Sequence, residues 1–92
     1  MARRFCAIVQ GKVQAVYFRR NTQKQASKLQ IQGFVTNLSN GDVKIDAQGS
    51  LQSLNKLLQW CQHGPPQARV DKIFVTWDQT TQYSDLKFNI IH

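Results

Sequence analysis

The sequence predicts an α+β fold, an antiparallel sheet with two helices on one of its faces. Three observations carry that expectation. Short apolar runs with strand character bracket two segments with helical spacing. The middle pair of strand runs is joined through Asn40-Gly41, a strong two-residue hairpin signal. The resulting order is β-α-β-β-α-β, with a helix in each crossover. Right-handed crossovers then place both helices on the same side of the sheet.

The elements follow in chain order. Phe5 to Gln10 reads as the first strand, with Phe5, Ala7 and Val9 on one side and Cys6 and Ile8 on the other. A loop from Gly11 to Arg19 follows. A helix is expected from about Asn21 to Leu29, with Thr22, Ala26 and Leu29 on one face and Gln23, Lys24, Gln25 and Lys28 on the other. Gly33 opens the second strand, Phe34 to Ser39. The third, Asp42 to Gln48, alternates Val43, Ile45 and Ala47 inward with Lys44, Asp46 and Gln48 outward. Ser50 is placed to cap a second helix whose apolar stripe is Leu51, Leu54, Leu57, Leu58 and Cys61. Gly64 and Pro65-Pro66 stop it. Val70 to Trp77 reads as the fourth strand, with Ile73, Val75 and Trp77 on one face. After a loop-like stretch at 79–84, Leu86 to Ile91 reads as a further short strand. This is the ferredoxin-like split βαβ sandwich.

Ninety-two residues allow one domain, expected to span residues 1–92. No apolar run approaches the ~20 residues that cross a bilayer, and no long apolar segment follows Met1-Ala2-Arg3-Arg4. The expectation is a cytoplasmic protein with no membrane partner. Cys6 and Cys61 lack metal-ligand spacing and read as reduced thiols, although spacing alone leaves a bridge between them open. The net charge of +7 attracts anions, either a nucleic acid or a small anionic substrate.

The run Gly11-Lys12-Val13-Gln14-Ala15-Val16-Tyr17-Phe18-Arg19 joins a strand to a helix. Such a loop can aim several backbone N–H groups at one point, beside the orphan donors of a helix N-terminus. That arrangement suits a phosphate. The planar guanidinium of Arg19 adds a matching fork. Asn37 is a second unusual residue, a polar amide within a strand, where Asn is disfavoured. His63 and His92 show no His–carboxylate or His–Cys arrangement, so neither is expected to be catalytic. The five Asp residues are dispersed and there is no Glu, so neither a metal cage nor a carboxylate pair is expected.

The loop resembles the acylphosphatase signature G-x-V-Q-G-V-x-F-R. A second signature of that family is matched by Gly33-Phe34-Val35-Thr36-Asn37-Leu38-Ser39-Asn40-Gly41-Asp42-Val43, and the closing Tyr83-Ser84-Asp85-Leu86-Lys87-Phe88 also fits. The resemblance covers nearly the whole chain. It implies the same ferredoxin-like fold and hydrolysis of small acyl phosphates by a monomer without cofactor or metal. It also implies that Arg19 grips the phosphate and Asn37 positions the attacking water. The N–H groups of Ala15, Val16, Tyr17, Phe18 and Arg19 would then form the phosphate cradle. Gln14 and the Phe18 ring are expected to be structural, with Tyr17 at the mouth.

Two positions depart from the family pattern. Ala15 stands where the signature has Gly, and Gln30 where the family commonly has Gly at the end of the first helix. A left-handed conformation at either would be strained. The competing class is an RNA-binding module of the same fold. Such modules stack bases on aromatics of their central strands. The third strand here has no aromatic, and Asp42 and Asp46 add negative charge to it. No nucleic-acid partner is therefore expected.

Overall fold

A computed structural model describes residues 3–78 and 87–92. The element order is β1 (Arg3–Lys12), α1 (Phe18–Lys28), β2 (Gln32–Asn37), β3 (Val43–Gly49), α2 (Leu51–Cys61), β4 (Arg69–Asp78) and β5 (Phe88–Ile91). The five strands form one sheet in the order β4-β1-β3-β2-β5. β1 pairs antiparallel with both β3 and β4, and β2 antiparallel with β3. β5 is the exception and runs parallel to β2. Leu86 and the stretch at 79–84 lie outside the described residues.

The core lies between the sheet and the helices. Phe5, Ala7 and Val9 of β1, Val35 of β2, and Val43, Ile45 and Ala47 of β3 supply the sheet side. Phe18, Thr22 and Ala26 of α1 and Leu54, Leu57 and Cys61 of α2 supply the helix side. The alternation expected for β1 and β3 therefore holds on the covered face. Ser50 caps α2 as expected, its Oγ accepting from the Ser53 N–H at 3.2 Å.

The other face of the sheet is less open than alternation suggested. Asp46 and Gln48 lie on the side away from the helices, yet both are buried. Arg4 Nε donates to Asp46 Oδ1 at 3.0 Å, and Gln48 Nε2 donates to Gln32 Oε1 at 2.8 Å. Long polar side chains on neighbouring strands thus cover that face in place of solvent. Conversely, three residues assigned to apolar faces are substantially exposed. Leu51 at the start of α2 is 40% exposed, and Val75 and Trp77 on the edge strand β4 are 37% and 43% exposed. Trp77 still meets Phe5 edge-on, with ring centroids 5.5 Å apart.

Several boundaries differ from the sequence expectation, each for a local reason. α1 starts at Phe18 rather than near Asn21, because Tyr17 adopts the left-handed conformation (φ 62°, ψ 22°) and takes the N-cap position. The Asn21 N–H then closes the first turn onto the Tyr17 carbonyl at 3.0 Å. Tyr17 gives no side-chain cap, so the sequence carries no start signal there. At the other end Gln30 is also left-handed, at φ 59°. The Ile31 N–H reaches the Ala26 carbonyl at 2.9 Å, and the Gln30 N–H reaches the Ser27 carbonyl at 3.2 Å. This is a Schellman closure with glutamine in the glycine position. β2 stops at Asn37, not Ser39, and β3 starts at Val43. The connection is therefore wider than a two-residue turn. Leu38 N–H donates to the Asp42 carbonyl at 2.8 Å, and the Asn40 side chain accepts from the Asp42 N–H at 3.0 Å.

Candidate active site

The site begins with a backbone irregularity. Register between β1 and β4 shifts at Gln10/Gly11. Gly11 has φ 138°, and a Cβ there would stand 2.0 Å from the Arg69 carbonyl oxygen. Only glycine allows the strand to bend this close to its neighbour.

Beyond Lys12 the chain alternates between buried anchors and left-handed residues. Val13, Val16 and Phe18 are buried. Ala15 and Tyr17 have φ 58° and 62°. Alternating hands turn successive N–H groups toward one concave side, the geometry of a backbone anion nest. Among the described residues, none of the N–H groups from Ala15 to Arg20 has a hydrogen-bond acceptor. Those of Phe18, Arg19 and Arg20 belong to the first turn of α1, which holds no acidic residue. A loop nest and a helix terminus thus merge into one cluster of free donors. The expectation that Ala15 occupies a glycine-type conformation is met. That Tyr17 does the same was not legible from the sequence.

Four contacts hold the loop in place. Gln14 Nε2 donates to the carbonyls of Leu38 and Asp42, each at 2.8 Å. This ties the loop to the β2–β3 connection, the structural part expected of Gln14. The Phe18 ring packs against Trp60 at 5.5 Å between centroids. Gly64 leaves room for it, since a Cβ there would lie 2.6 Å from the Phe18 ring. The Thr22 hydroxyl donates to the Phe18 carbonyl at 2.8 Å inside the core.

Arg19 is the second residue of α1 rather than the last residue of a loop. Asn37 is the last residue of β2, an inner strand between β3 and β5. Its Oδ1 is buried and has no hydrogen-bond partner among the described residues. A buried carbonyl oxygen without a donor is costly unless a water or ligand group supplies one. Ala15, Tyr17, Phe18, Arg19 and Asn37 all line one cavity of about 460 Å³. Val16 does not line it; its side chain is buried in the core. Among the described residues, Arg20 and His92 complete the charged or ionisable part of the lining, and none that lines it is acidic. Tyr17 is 66% exposed at the mouth.

His92 is the residue that sequence reasoning set aside. Arg19 NH1 lies 3.2 Å from His92 Nδ1. The contact follows from the parallel pairing of β5 with β2. Thr36 stands opposite Ile91 there, which places His92 beside the continuation of β2 at Asn37. Gln23 Nε2 also donates to the Phe88 carbonyl at 3.0 Å, tying α1 to β5. No local signal in the sequence announces a partner 73 residues away.

The two cysteines are both free thiols. Cys61 is enclosed in the core, where burial pushes its thiol up to about 12. Among the described residues, no group of three or more His, Cys, Asp or Glu side chains converges as a metal site would. No helix among them is long and apolar enough to cross a membrane.

Comparison with known proteins gives the family and the fold. The acylphosphatase family profile matches residues 5–90. An acylphosphatase of Coxiella burnetii (strain Dugway 5J108-111) is 45% identical over 83 residues, covering 88% of this chain and 85% of the relative. The crystal structure of acylphosphatase from Bacillus subtilis superposes with a TM-score of 0.94 at 31% identity, covering 98% of this chain and 99% of that one. The structure of an acylphosphatase from Coxiella burnetii gives a TM-score of 0.90 at 38% identity, covering 98% and 93%.

Proposed function

The chain belongs to the acylphosphatase family and hydrolyses acyl phosphates, and from that premise we propose how its own residues carry the reaction. The loop N–H groups from Ala15 to Arg19 and the Arg19 guanidinium grip the phosphoryl group. Asn37 accepts a hydrogen bond from a water through Oδ1 and holds it for in-line attack on phosphorus. The single observation that carries this reading is the buried Asn37 Oδ1, without a partner among the described residues, at the cavity that Arg19 also lines.

The chemistry matches so small a set of groups. The leaving group is a carboxylate, whose conjugate acid has a pKa of about 4. It departs without protonation, so no general acid is needed. The transition state of phosphoryl transfer is loose and carries its charge on non-bridging oxygens. Converging N–H groups and a fixed guanidinium stabilise that charge directly. The new P–O bond forms from water, the bond to the acyl oxygen breaks, and a phosphate oxygen of the substrate takes the water's proton. The products are the carboxylic acid anion and inorganic phosphate.

Every group in this scheme comes from one copy of the chain, and we read residues 1–92 as one catalytic unit that works as a monomer. Two free thiols fit a reducing compartment, the cytoplasm. The substrate is a small acyl phosphate rather than a nucleic acid.

Phosphate release from acetyl phosphate and carbamoyl phosphate tests the assignment. Arg19→Ala should lower turnover at least about 10²–10³-fold, the scale of one lost transition-state donor, and weaken binding of inorganic phosphate. Arg19→Lys should recover little, because a point charge does not reproduce the fork. Asn37→Ala should lower kcat by a similar factor and leave phosphate affinity nearly unchanged. Activity should survive exhaustive chelation. Near-normal turnover in Arg19→Ala, or activity lost in EDTA and restored by a divalent cation, would overturn the scheme.

A further inference from the structure

We propose that His92 is a positioning residue for Arg19, holding its guanidinium over the cavity in the orientation that meets the phosphoryl group. The inference rests on the phosphate-binding reading of Arg19 given above. An arginine guanidinium is always a donor and never an acceptor. The 3.2 Å contact between Arg19 NH1 and His92 Nδ1 is therefore a hydrogen bond only when Nδ1 is the acceptor, with the ring proton on Nε2. His92 must then be neutral.

The geometry favours positioning over a contact with no consequence. Arg19 makes no other hydrogen bond among the described residues, so one of its donor atoms is held and the rest stay available toward the cavity. A free arginine side chain samples many rotamers, and that freedom is lost on binding. A partner that restricts it beforehand lowers the cost of binding. His92 is itself well anchored in register. It follows directly on β5, which is paired to β2 next to Asn37 and tied to α1 through Gln23. The same strand thus brings the partner of Arg19 to the cavity that Asn37 lines.

The test compares His92→Ala, His92→Asn and His92→Phe for acetyl phosphate hydrolysis and for binding of inorganic phosphate by calorimetry. His92→Ala should lower kcat/KM and phosphate affinity about three- to tenfold, the effect of one exposed hydrogen bond. Its melting temperature should stay within a degree or two of the parent. His92→Asn, which returns an acceptor near the position of Nδ1, should recover most of the loss. His92→Phe, which keeps a ring without an acceptor, should behave like alanine. In an Arg19→Ala background, replacing His92 should not change phosphate affinity further. Equal activity of His92→Ala and the parent would overturn the proposal. So would recovery by Phe rather than Asn, or an undiminished effect in the Arg19→Ala background. If Arg19→Ala itself kept normal phosphate affinity, the fault would lie with the reading of Arg19 and not with His92.

Discussion

Gln30→Gly isolates one strain in this fold. Gln30 adopts φ 59° at the C-terminal end of α1, in the position of a Schellman closure that glycine normally fills. A side chain in the left-handed region costs roughly 1–2 kcal/mol. Glycine removes that cost but adds roughly 0.4–1 kcal/mol of unfolded-chain freedom. The Gln30 side chain is exposed and makes no hydrogen bond among the described residues, so its loss removes no contact of consequence. The net effect is a stabilisation of about 0–1.6 kcal/mol, with about 0.8 kcal/mol in the middle of the range. For a domain of this size that midpoint raises the melting temperature by about 3–6 °C. The 11 residues of α1 put Gln30 roughly 16 Å along the helix from the loop, so kcat for acetyl phosphate should stay within about twofold. Thermal unfolding followed by circular dichroism, with urea titration as a second measure, reads the change. A fall in melting temperature would refute the strain argument. It would mean that the left-handed conformation is relaxed for glutamine here or that the side chain has an essential contact.

Ala15→Gly carries the same two opposing terms but sits in the phosphate nest at φ 58°. Stability should change little or rise slightly, and turnover should rise as the loop N–H groups converge better. A clear loss of both would show that the nest is already adapted to alanine. Cys61 gives a test by pH. Burial raises its thiol from 9.0 to about 12, so the folded chain holds the proton more tightly than the unfolded one. The associated stability is whole below pH 9.0 and is lost as pH rises toward 12. Iodoacetamide at pH 8 should accordingly modify the half-buried Cys6 well before Cys61. Equal rates for the two thiols would contradict the burial.

Much of the architecture follows from local pattern. Alternation in β1 and β3 identifies Phe5, Ala7, Val9, Val43, Ile45 and Ala47 as the buried face, because a strand's side chains repeat every two residues. The stripe of Leu54, Leu57 and Cys61 and the cap at Ser50 define α2 in the same local way. A strand-to-helix loop between β1 and α1 and the glycine-type conformation of Ala15 were legible too, because the motif is contiguous there, although the loop proper is only residues 13–17.

What escaped the sequence depends on distant neighbours or on a conformation that violates residue preference. Tyr17 takes a left-handed N-cap position that no propensity assigns to a tyrosine. It moves the start of α1 and puts Arg19 into the helix. Asp46 and Gln48 alternate outward yet are buried, because Arg4 and Gln32 reach across from other strands. His92 meets Arg19 only because β5 pairs in parallel with β2, and register between strands so far apart in sequence has no local signature. The sequence by itself determined which residues are apolar, where the chain turns and which side chains can bind a phosphate. The tertiary structure decided which of them meet, because that depends on register and strand order across the whole sheet.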